Sequence, residues 1–297
     1  MPEYSYAIIS ALLWAISAPI VNRGMENFPE ENRSSATFIA LFCALITGTL
    51  SLYPFTSNDV FDAHNINVYI ILSGVFTFPI ATGLYYLSTH AFGVRAELAS
   101  QFAKVKPLFS ILFAAFFLGE TIEQSSIIAI ALIIIGLLMF VKAVWITNFS
   151  IRALLFGLLT AMAWATGEVF VKLGFQEANA LDNSFIALAS SLLLVLIIIL
   201  PSLKQFLVKS TLTWIAPFAI HGILSFSFAY ACFFKSITMI GVTKTVIINA
   251  FWPALSVLIV FAQKRFMGEP YKMSVYLIAA IVLLVSASIT VITNIEA

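Results

Sequence analysis

Long apolar runs dominate this sequence and leave few folds open to it. Ten runs of about 18 or more residues follow one another along the chain, with short connections between them. A membrane interior offers no water to the backbone, so apolar segments of this length satisfy their hydrogen bonds internally, as α-helices. The runs cover residues 5–23, 34–54, 67–89, 95–117, 125–144, 152–173, 183–201, 214–237, 243–263 and 273–294. We therefore expect an all-α integral membrane protein with ten transmembrane helices.

The composition agrees with this class and excludes others. Of the 297 residues, 61% are hydrophobic and only 10% are charged, whereas a soluble domain carries about 25% charge. The net charge of +1 argues against a nucleic-acid partner, which needs a basic face. Cys43 and Cys232 both lie inside apolar runs, so we expect neither a disulfide nor a metal site, and no cofactor. The predicted location is the bacterial inner (plasma) membrane, with lipid as a partner.

The two halves of the chain repeat the same residues in the same order. The matched positions are Trp14-Ala15 with Trp164-Ala165, Val21 with Val171, Gly24 with Gly174, Ser88 with Ser236, Gly93-Val94 with Gly241-Val242, Pro107 with Pro253, and Gly119-Glu120 with Gly268-Glu269. Each half holds five runs, an odd number, so the copies must lie in opposite orientations in the membrane. The sequence thus predicts two inverted five-helix repeats, 1–148 and 149–297. This architecture is associated with alternating access around a midplane site.

The fourth run, 95–117, carries the most informative polar residues. It contains Glu97, Gln101, Lys104 and Lys106, followed by Pro107. Both lysines fall near its midpoint, too deep for their stems to reach an interface. A charge at mid-membrane costs about 2.5–3.5 kcal/mol on insertion scales and normally faces a bundle interior or a wet cavity. This run is therefore expected to contribute to a functional site.

Two interpretations of these residues are open. On a helix, Glu97, Gln101 and Lys104 share one face, while Lys106 lies about 200° round the axis from Lys104. In the first interpretation the run binds substrate: Lys104 or Lys106 holds an anionic group, Glu97 holds an ammonium group or carries a proton, and Gln101 orients the substrate. In the second, Glu97 and Lys104 only neutralise each other. We favour the first, because intramembrane ionisable groups are usually functional and one lysine is left over.

Glu168, in the sixth run, is a second candidate. Burial disfavours the charged form of a carboxyl group, which suits Glu168 to carry a coupled proton. The alternatives are pairing with Lys172, four residues further on, or with a lysine of the fourth run. Functional and structural interpretations carry equal weight here.

Other polar and aromatic residues complete the predicted substrate site, each with packing or an interhelical hydrogen bond as its alternative. They are Trp14, Trp164, Tyr85, Tyr230, Asn249 and Trp252. The matched prolines Pro107 and Pro253 are expected to be either hinges or static kinks, because each frees a backbone carbonyl inside a run.

Taken with their duplication, these features resemble the drug/metabolite transporter superfamily, specifically its EamA-like family. The resemblance rests on two five-helix units that each open with Leu-Leu-Trp or Met-Ala-Trp and close with a proline followed by Gly-Glu. It implies a ten-helix secondary transporter with a central cavity lined by spans 1, 3, 4, 6, 8 and 9. The lysine before the proline is similar to the pattern of phosphate-sugar members of the superfamily.

We predict a secondary-active transporter of a small polar metabolite, an amino acid or similar zwitterion. The alternative is an exchanger of organic anions or phosphorylated metabolites. A hypothesis from a different class of protein is a channel or a non-transporting membrane scaffold. No HExxH, Walker or GxSxG motif is present, so neither an enzyme nor a nucleotide-driven pump is expected. Transport is then expected to be driven by a proton or by a counter-substrate. The oligomeric state is left open, with a homodimer as one option.

Basic residues divide unevenly between the two predicted sides. One side has Arg23, Arg33, Arg95, Lys142, Arg152, Lys204, Lys209, Lys264, Arg265 and Lys272, and the other has Lys172, Lys235 and Lys244. The positive-inside rule therefore predicts both termini outside. The family resemblance implies the reverse, since characterised relatives are drawn with both termini inside.

Overall fold

The computed structural model describes residues 2–26, 33–62, 66–90, 103–145, 151–174, 180–202, 212–268 and 273–295. Within these ranges the chain is helical throughout its regular elements and contains no strand. The all-α class that the apolar runs predict is confirmed. Glu97 and Gln101 lie outside the described residues.

The helices occur in the same order in both halves. In the first half they are α1 (Ser5–Glu26), α2 (Arg33–Leu52), α3 (Val68–Val75), α4 (Gly83–His90), α5 (Lys106–Leu118) and α6 (Gln124–Trp145). In the second half they are α7 (Ile151–Gly174), α8 (Ala180–Ile199), α9 (Leu212–His221), α10 (Tyr230–Asn249), α11 (Trp252–Phe266) and α12 (Val275–Ile295). The first helix of one half thus corresponds to the first helix of the other, and so on to the sixth.

These helices are long and apolar enough for a multi-pass membrane protein. Eight helical stretches of the described residues meet the length and hydropathy of a membrane span. One of them, Trp214–Phe266, has 53 residues. At about 1.5 Å per residue it is more than twice as long as a hydrocarbon core of about 30 Å is thick. The protein is therefore an integral, multi-pass membrane protein, while this count does not by itself confirm ten crossings.

A π-helical segment widens the helix at the same place in each half. Phe76–Thr82 joins α3 to α4 and contains Pro79, whereas Gly222–Ala229 joins α9 to α10 and follows Pro217 in α9. A proline lacks the N–H that a regular turn needs and displaces a carbonyl one turn earlier, which favours such a local widening. With the offset that separates Ser88 from Ser236, Pro79 aligns with Ser227 and Pro217 with Tyr69. The two halves therefore share the widened turn but not the position of its proline.

Close backbone contacts between the halves come in reciprocal pairs. A Cβ atom on Gly74 would overlap the carbonyl oxygen of Ala187 in α8, and a Cβ atom on Gly222 would overlap the carbonyl oxygen of Ala44 in α2. The glycines are counterparts in the repeat, and each lies against the second helix of the other half. Only glycine permits this approach, because any side chain would meet backbone that cannot swing aside.

Counterpart residues also meet each other directly. The rings of Phe78 and Phe226, from the two π-helical segments, have centroids 4.8 Å apart. Gly136 in α6 lies against Leu284 in α12, at 3.2 Å from its Cβ position to Leu284 Cγ. Reciprocal contacts and self-paired counterparts are what a two-fold relation between two similar units produces.

The helix that begins after Gly241 is held by the first half. Gly241 breaks α10 with φ 82° and ψ 170°. Beyond the break, the backbone N–H groups of Val242 and Thr243 donate to the two carboxylate oxygens of Glu120, each at 2.9 Å. Gly119 ends α5 in the left-handed conformation and turns the chain so that Glu120 follows directly.

Candidate functional site

An ion pair joins the two halves inside the bundle. Lys106 Nζ lies 2.5 Å from Glu168 Oε1, and the two side chains are only 10% and 3% exposed. Lys106 is the first residue of α5 and Glu168 belongs to α7. The structure therefore places Glu168 against a lysine of the fourth run. Lys172 does not take this position, since its ammonium group donates to the carbonyl oxygen of Ile237 at 3.4 Å.

Aromatic rings surround the ammonium group of this pair. Lys106 Nζ lies 5.1 Å from the ring centroid of Trp14 and 4.6 Å from that of Phe233. The Trp14 ring in turn contacts those of Tyr230 and Phe233, at centroid distances of 4.9 and 5.0 Å. We call Trp14, Tyr230 and Phe233 the aromatic box. A desolvated cation over such faces gains about 2 kcal/mol, which lowers the cost of burying Lys106.

One oxygen of the buried carboxylate has no partner among the residues that the structure describes. Glu168 Oε2 is inaccessible to solvent and accepts no hydrogen bond from the described residues. An ionised carboxylate has about four acceptor sites, and a buried charge is costly when they remain empty. The pair thus offers an acceptor to any donor that enters from outside the chain.

Lys104 points to a different neighbour. Its side chain is also buried, and Nζ lies 4.5 Å from the ring centroid of Phe140 in α6. The two lysines therefore diverge, but Lys104 lies in the turn before α5 rather than on one helix with Lys106, and of the two only Lys106 faces the aromatic box.

The helices that carry these residues are interrupted at matched positions. A two-residue turn at Lys104 and Val105 precedes α5, and a turn at Ala250 and Phe251 separates α10 from α11. Pro107 and Pro253 lie in the first turn of α5 and α11, where a missing N–H costs nothing. Discontinuous helices at matched positions of two repeats are characteristic of transporter binding sites. A hinge function for the prolines stays a prediction.

Trp164 and Tyr85 form a second aromatic group, at the repeat counterparts of Trp14 and Phe233. Their ring centroids are 6.3 Å apart. Trp164 Nε1 donates to the carbonyl oxygen of Thr77 in the π-helical segment at 3.1 Å, and the Tyr85 hydroxyl donates to Asn22 Oδ1 at 2.9 Å. Trp164 thus satisfies a carbonyl that lies within the widened turn.

Asn249 and Trp252 each have contacts of their own. The Asn249 amide donates to the carbonyl oxygen of Ala7 at 3.2 Å and to Ser10 Oγ at 2.8 Å, so it makes an interhelical bond to α1. Trp252 begins α11 and packs against the hydrophobic core while half-buried.

Sequence reasoning missed two residues. Phe233 completes the aromatic box, and its only signal is its position 148 residues after Tyr85, the same offset that separates Ser88 from Ser236. The sequence shows Glu120 only as part of a repeated Gly-Glu pair, yet its carboxylate caps a helix of the other half.

Two matched halves of apolar helices with a buried ion pair between them define a two-repeat membrane protein. The model of the EamA-like transporter family matches residues 1–142 and 151–293. The chain belongs to the EamA-like transporter family, which confirms the resemblance seen in the sequence, and it is a membrane transporter of the drug/metabolite type.

Comparison with solved structures agrees with this fold. A structure whose printed title reads only "Crystal structure of protein" superposes with a TM-score of 0.69 at 15% sequence identity, over 99% of each chain. At this identity the likeness shows a common fold. No curated protein matches the sequence.

Proposed function

We propose that this protein is a secondary-active transporter of a small zwitterionic metabolite such as an amino acid. Ten crossings form two inverted five-helix repeats that rock about a central cavity, exposing the Lys106–Glu168 pair alternately to each side. The reciprocal contacts of Gly74 and Gly222 support the two-fold relation between the repeats. The matched helix interruptions support a midplane site.

The observation that carries the substrate class is the buried Lys106–Glu168 pair. It places one positive and one negative charge within hydrogen-bond distance of each other. A zwitterion presents the same two charges, so its ammonium group can pair with Glu168 while its carboxylate pairs with Lys106. Both buried charges then exchange one partner for another, and no charge is left uncompensated.

The same balance argues against a substrate with a single charge. A monoanion would pair with Lys106 and leave Glu168 buried without its partner, a situation that costs about 3–5 kcal/mol. An organic anion becomes acceptable only if Glu168 takes up a proton at the same time. The anion exchanger is therefore the second candidate, in a form in which Glu168 carries the proton.

Among the described residues, Glu168 is the proposed carrier of the coupled proton. Glu97 keeps its proposed role in binding a proton or the substrate ammonium group. Lys104, Gln101, Trp164, Tyr85 and Trp252 remain proposed contributors to the cavity wall. The bonds of Asn249 to α1 favour the alternative for this residue, an interhelical hydrogen bond. The protein works without a cofactor or an enzymatic step, in the bacterial inner membrane, as a monomer or a homodimer.

Counterflow into proteoliposomes tests this function. Purified protein is reconstituted into vesicles loaded with unlabelled amino acids, and uptake of a radiolabelled amino-acid mixture is followed against protein-free vesicles. A carrier gives saturable uptake that internal substrate accelerates, whereas a channel gives no acceleration and a scaffold gives no uptake. A parallel series with carboxylic acids and sugar phosphates separates the second candidate, which is favoured if only that series shows counterflow.

A further inference from the structure

We infer that Glu168 and the aromatic box form a binding site for a primary alkylammonium group, and that Lys106 fills it in the substrate-free protein. In this arrangement the lysine stands in for the substrate ammonium group, and substrate binding displaces it. The role in transport rests on the proposed function, but the ammonium site itself does not.

The surroundings of Lys106 Nζ are those of an organic-cation site. A carboxylate oxygen lies at 2.5 Å, and two aromatic rings present faces at 4.6 and 5.1 Å. A carboxylate together with aromatic faces is the chemistry by which proteins recognise ammonium ligands. The carboxylate is 3% exposed, so the site is desolvated and its electrostatic interactions are strong.

The rings and the carboxylate of this site lie inside helices, whereas the lysine that occupies the site lies at a helix end. Trp14 and Glu168 lie within α1 and α7, and Phe233 lies in the part of α10 that precedes its break at Gly241. Lys106, by contrast, is the first residue of α5 and follows the turn at Lys104 and Val105. A rearrangement of this turn, or of the flexible lysine stem, withdraws Nζ while the carboxylate and rings stay in place.

The unpartnered oxygen gives a free ligand an advantage over the lysine. Lys106 donates to Oε1 of Glu168, and Oε2 accepts nothing from the described residues. An ammonium group has three donors, and one that is not tethered to α5 can settle between both oxygens. This extra hydrogen bond supplies the differential affinity that any ligand needs to shift a conformational equilibrium.

The site selects among cations by their donors and shape. A primary alkylammonium ion keeps the donors that Glu168 requires and has an apolar stem for the ring faces. A quaternary ion lacks those donors. For a zwitterion, the displaced Lys106 remains beside the site and pairs with the substrate carboxylate.

Chemical rescue of Lys106→Ala tests the inference. The truncation removes the atoms of n-propylammonium, so this ion at millimolar concentration is the probe. The thermal unfolding temperature of purified full-length protein in detergent is measured with propylammonium chloride, against sodium chloride, 1-propanol and tetramethylammonium chloride. We expect the Lys106→Ala protein to unfold at a lower temperature than the wild type and to gain about 2–4 °C or more from propylammonium alone.

Two further proteins show whether the stabilisation by propylammonium arises at the Glu168 site. The wild type should respond less than Lys106→Ala, since its tethered lysine competes at a high effective concentration. The double variant Lys106→Ala/Glu168→Gln should not respond, because the carboxylate charge is gone. The inference is overturned if Lys106→Ala gains nothing, or if 1-propanol or the double variant gives an equal gain.

The test also holds if Lys106→Ala unfolds on purification. The variant is then prepared in propylammonium chloride, and the ion is removed on a gel-filtration column. Loss of the monodisperse peak only on removal supports the ammonium site, and loss in the presence of the ion contradicts it. Rescue by propylammonium without amino-acid counterflow would support the ammonium site and contradict the transport proposal. Counterflow without rescue would support transport and contradict the ammonium site.

Discussion

The carboxylate of Glu120, between α5 and α6 of the first repeat, caps the N-terminus of the helix that begins at Val242 in the second repeat. Two backbone N–H groups that the break at Gly241 would leave unpaired find both oxygens of one side chain. Charge-assisted bonds at a helix N-terminus also interact favourably with the helix dipole. This contact fixes the two repeats to each other at the end of α5.

Replacing Glu120 with alanine is expected to lower the free energy of unfolding by about 1–3 kcal/mol, since both N–H groups lose a charged partner. Glu123→Ala is the matched control. It breaks the pair between Glu123 and Lys244, 2.8 Å apart with Glu123 51% exposed, which should cost about 1 kcal/mol or less. Unfolding in a denaturing detergent measures both. Equal losses would show that Glu120 acts only as a surface charge.

Gly74→Ala and Gly222→Ala should destabilise the protein to a similar degree, by about 1–3 kcal/mol each, because each new methyl group meets backbone of the other half. Gly83→Ala is the control, since the nearest atom to its Cβ position is Leu41 Cδ2 at 4.0 Å. There alanine should be neutral or gain up to about 1 kcal/mol from helix propensity. A large loss at only one of Gly74 and Gly222 would contradict the reciprocal packing.

Asn249→Ala is expected to cost about 0.6–1.7 kcal/mol, the range of interhelical hydrogen bonds measured in a membrane protein. A double-mutant cycle with Ser10→Ala should show coupling, because the two side chains bond each other at 2.8 Å. The KM of counterflow should stay unchanged in Asn249→Ala. A raised KM with no loss of stability would instead assign Asn249 to substrate binding.

A reporter fused to the C-terminus decides the membrane orientation. The ten-to-three bias of basic residues predicts that alkaline phosphatase, which is active outside the cytoplasm, will be active in this fusion. A fluorescent protein that matures only in the cytoplasm serves as the complementary fusion. Fluorescence without phosphatase activity would show that the termini lie inside and that the bias is overridden.

Much of the fold could be predicted from the sequence because its signals are local. Apolar length predicts helices that satisfy their own backbone, and the matched glycines and prolines mark corresponding places in the two halves. Helical spacing predicts that Lys104 and Lys106 point apart. They do have different neighbours, but a turn at Lys104 and Val105, which the spacing does not predict, separates Lys104 from the helix. The π-helical segments were not predicted, because a proline in a helix can produce a kink or a widened turn and the neighbours decide which.

The partners within the site could not be chosen from the sequence. Glu168 had Lys172 on its own helix and two lysines on another, and the choice depends on how α5 and α7 are rotated against each other. Phe233 carries no charge or polar atom to distinguish it from the many phenylalanines of the chain. Its role follows only once α10 is placed beside α1.

We propose that the Lys106–Glu168 pair binds the transported zwitterion, and the counterflow activity of Glu168→Gln tests this proposal. The substitution keeps the size of the side chain but removes the charge that balances Lys106, and Glu123→Gln supplies the same chemical change at an exposed position. Amino-acid counterflow should fall to the level of protein-free vesicles in Glu168→Gln and persist in Glu123→Gln. Counterflow of folded Glu168→Gln at the wild-type rate and KM would contradict the proposal.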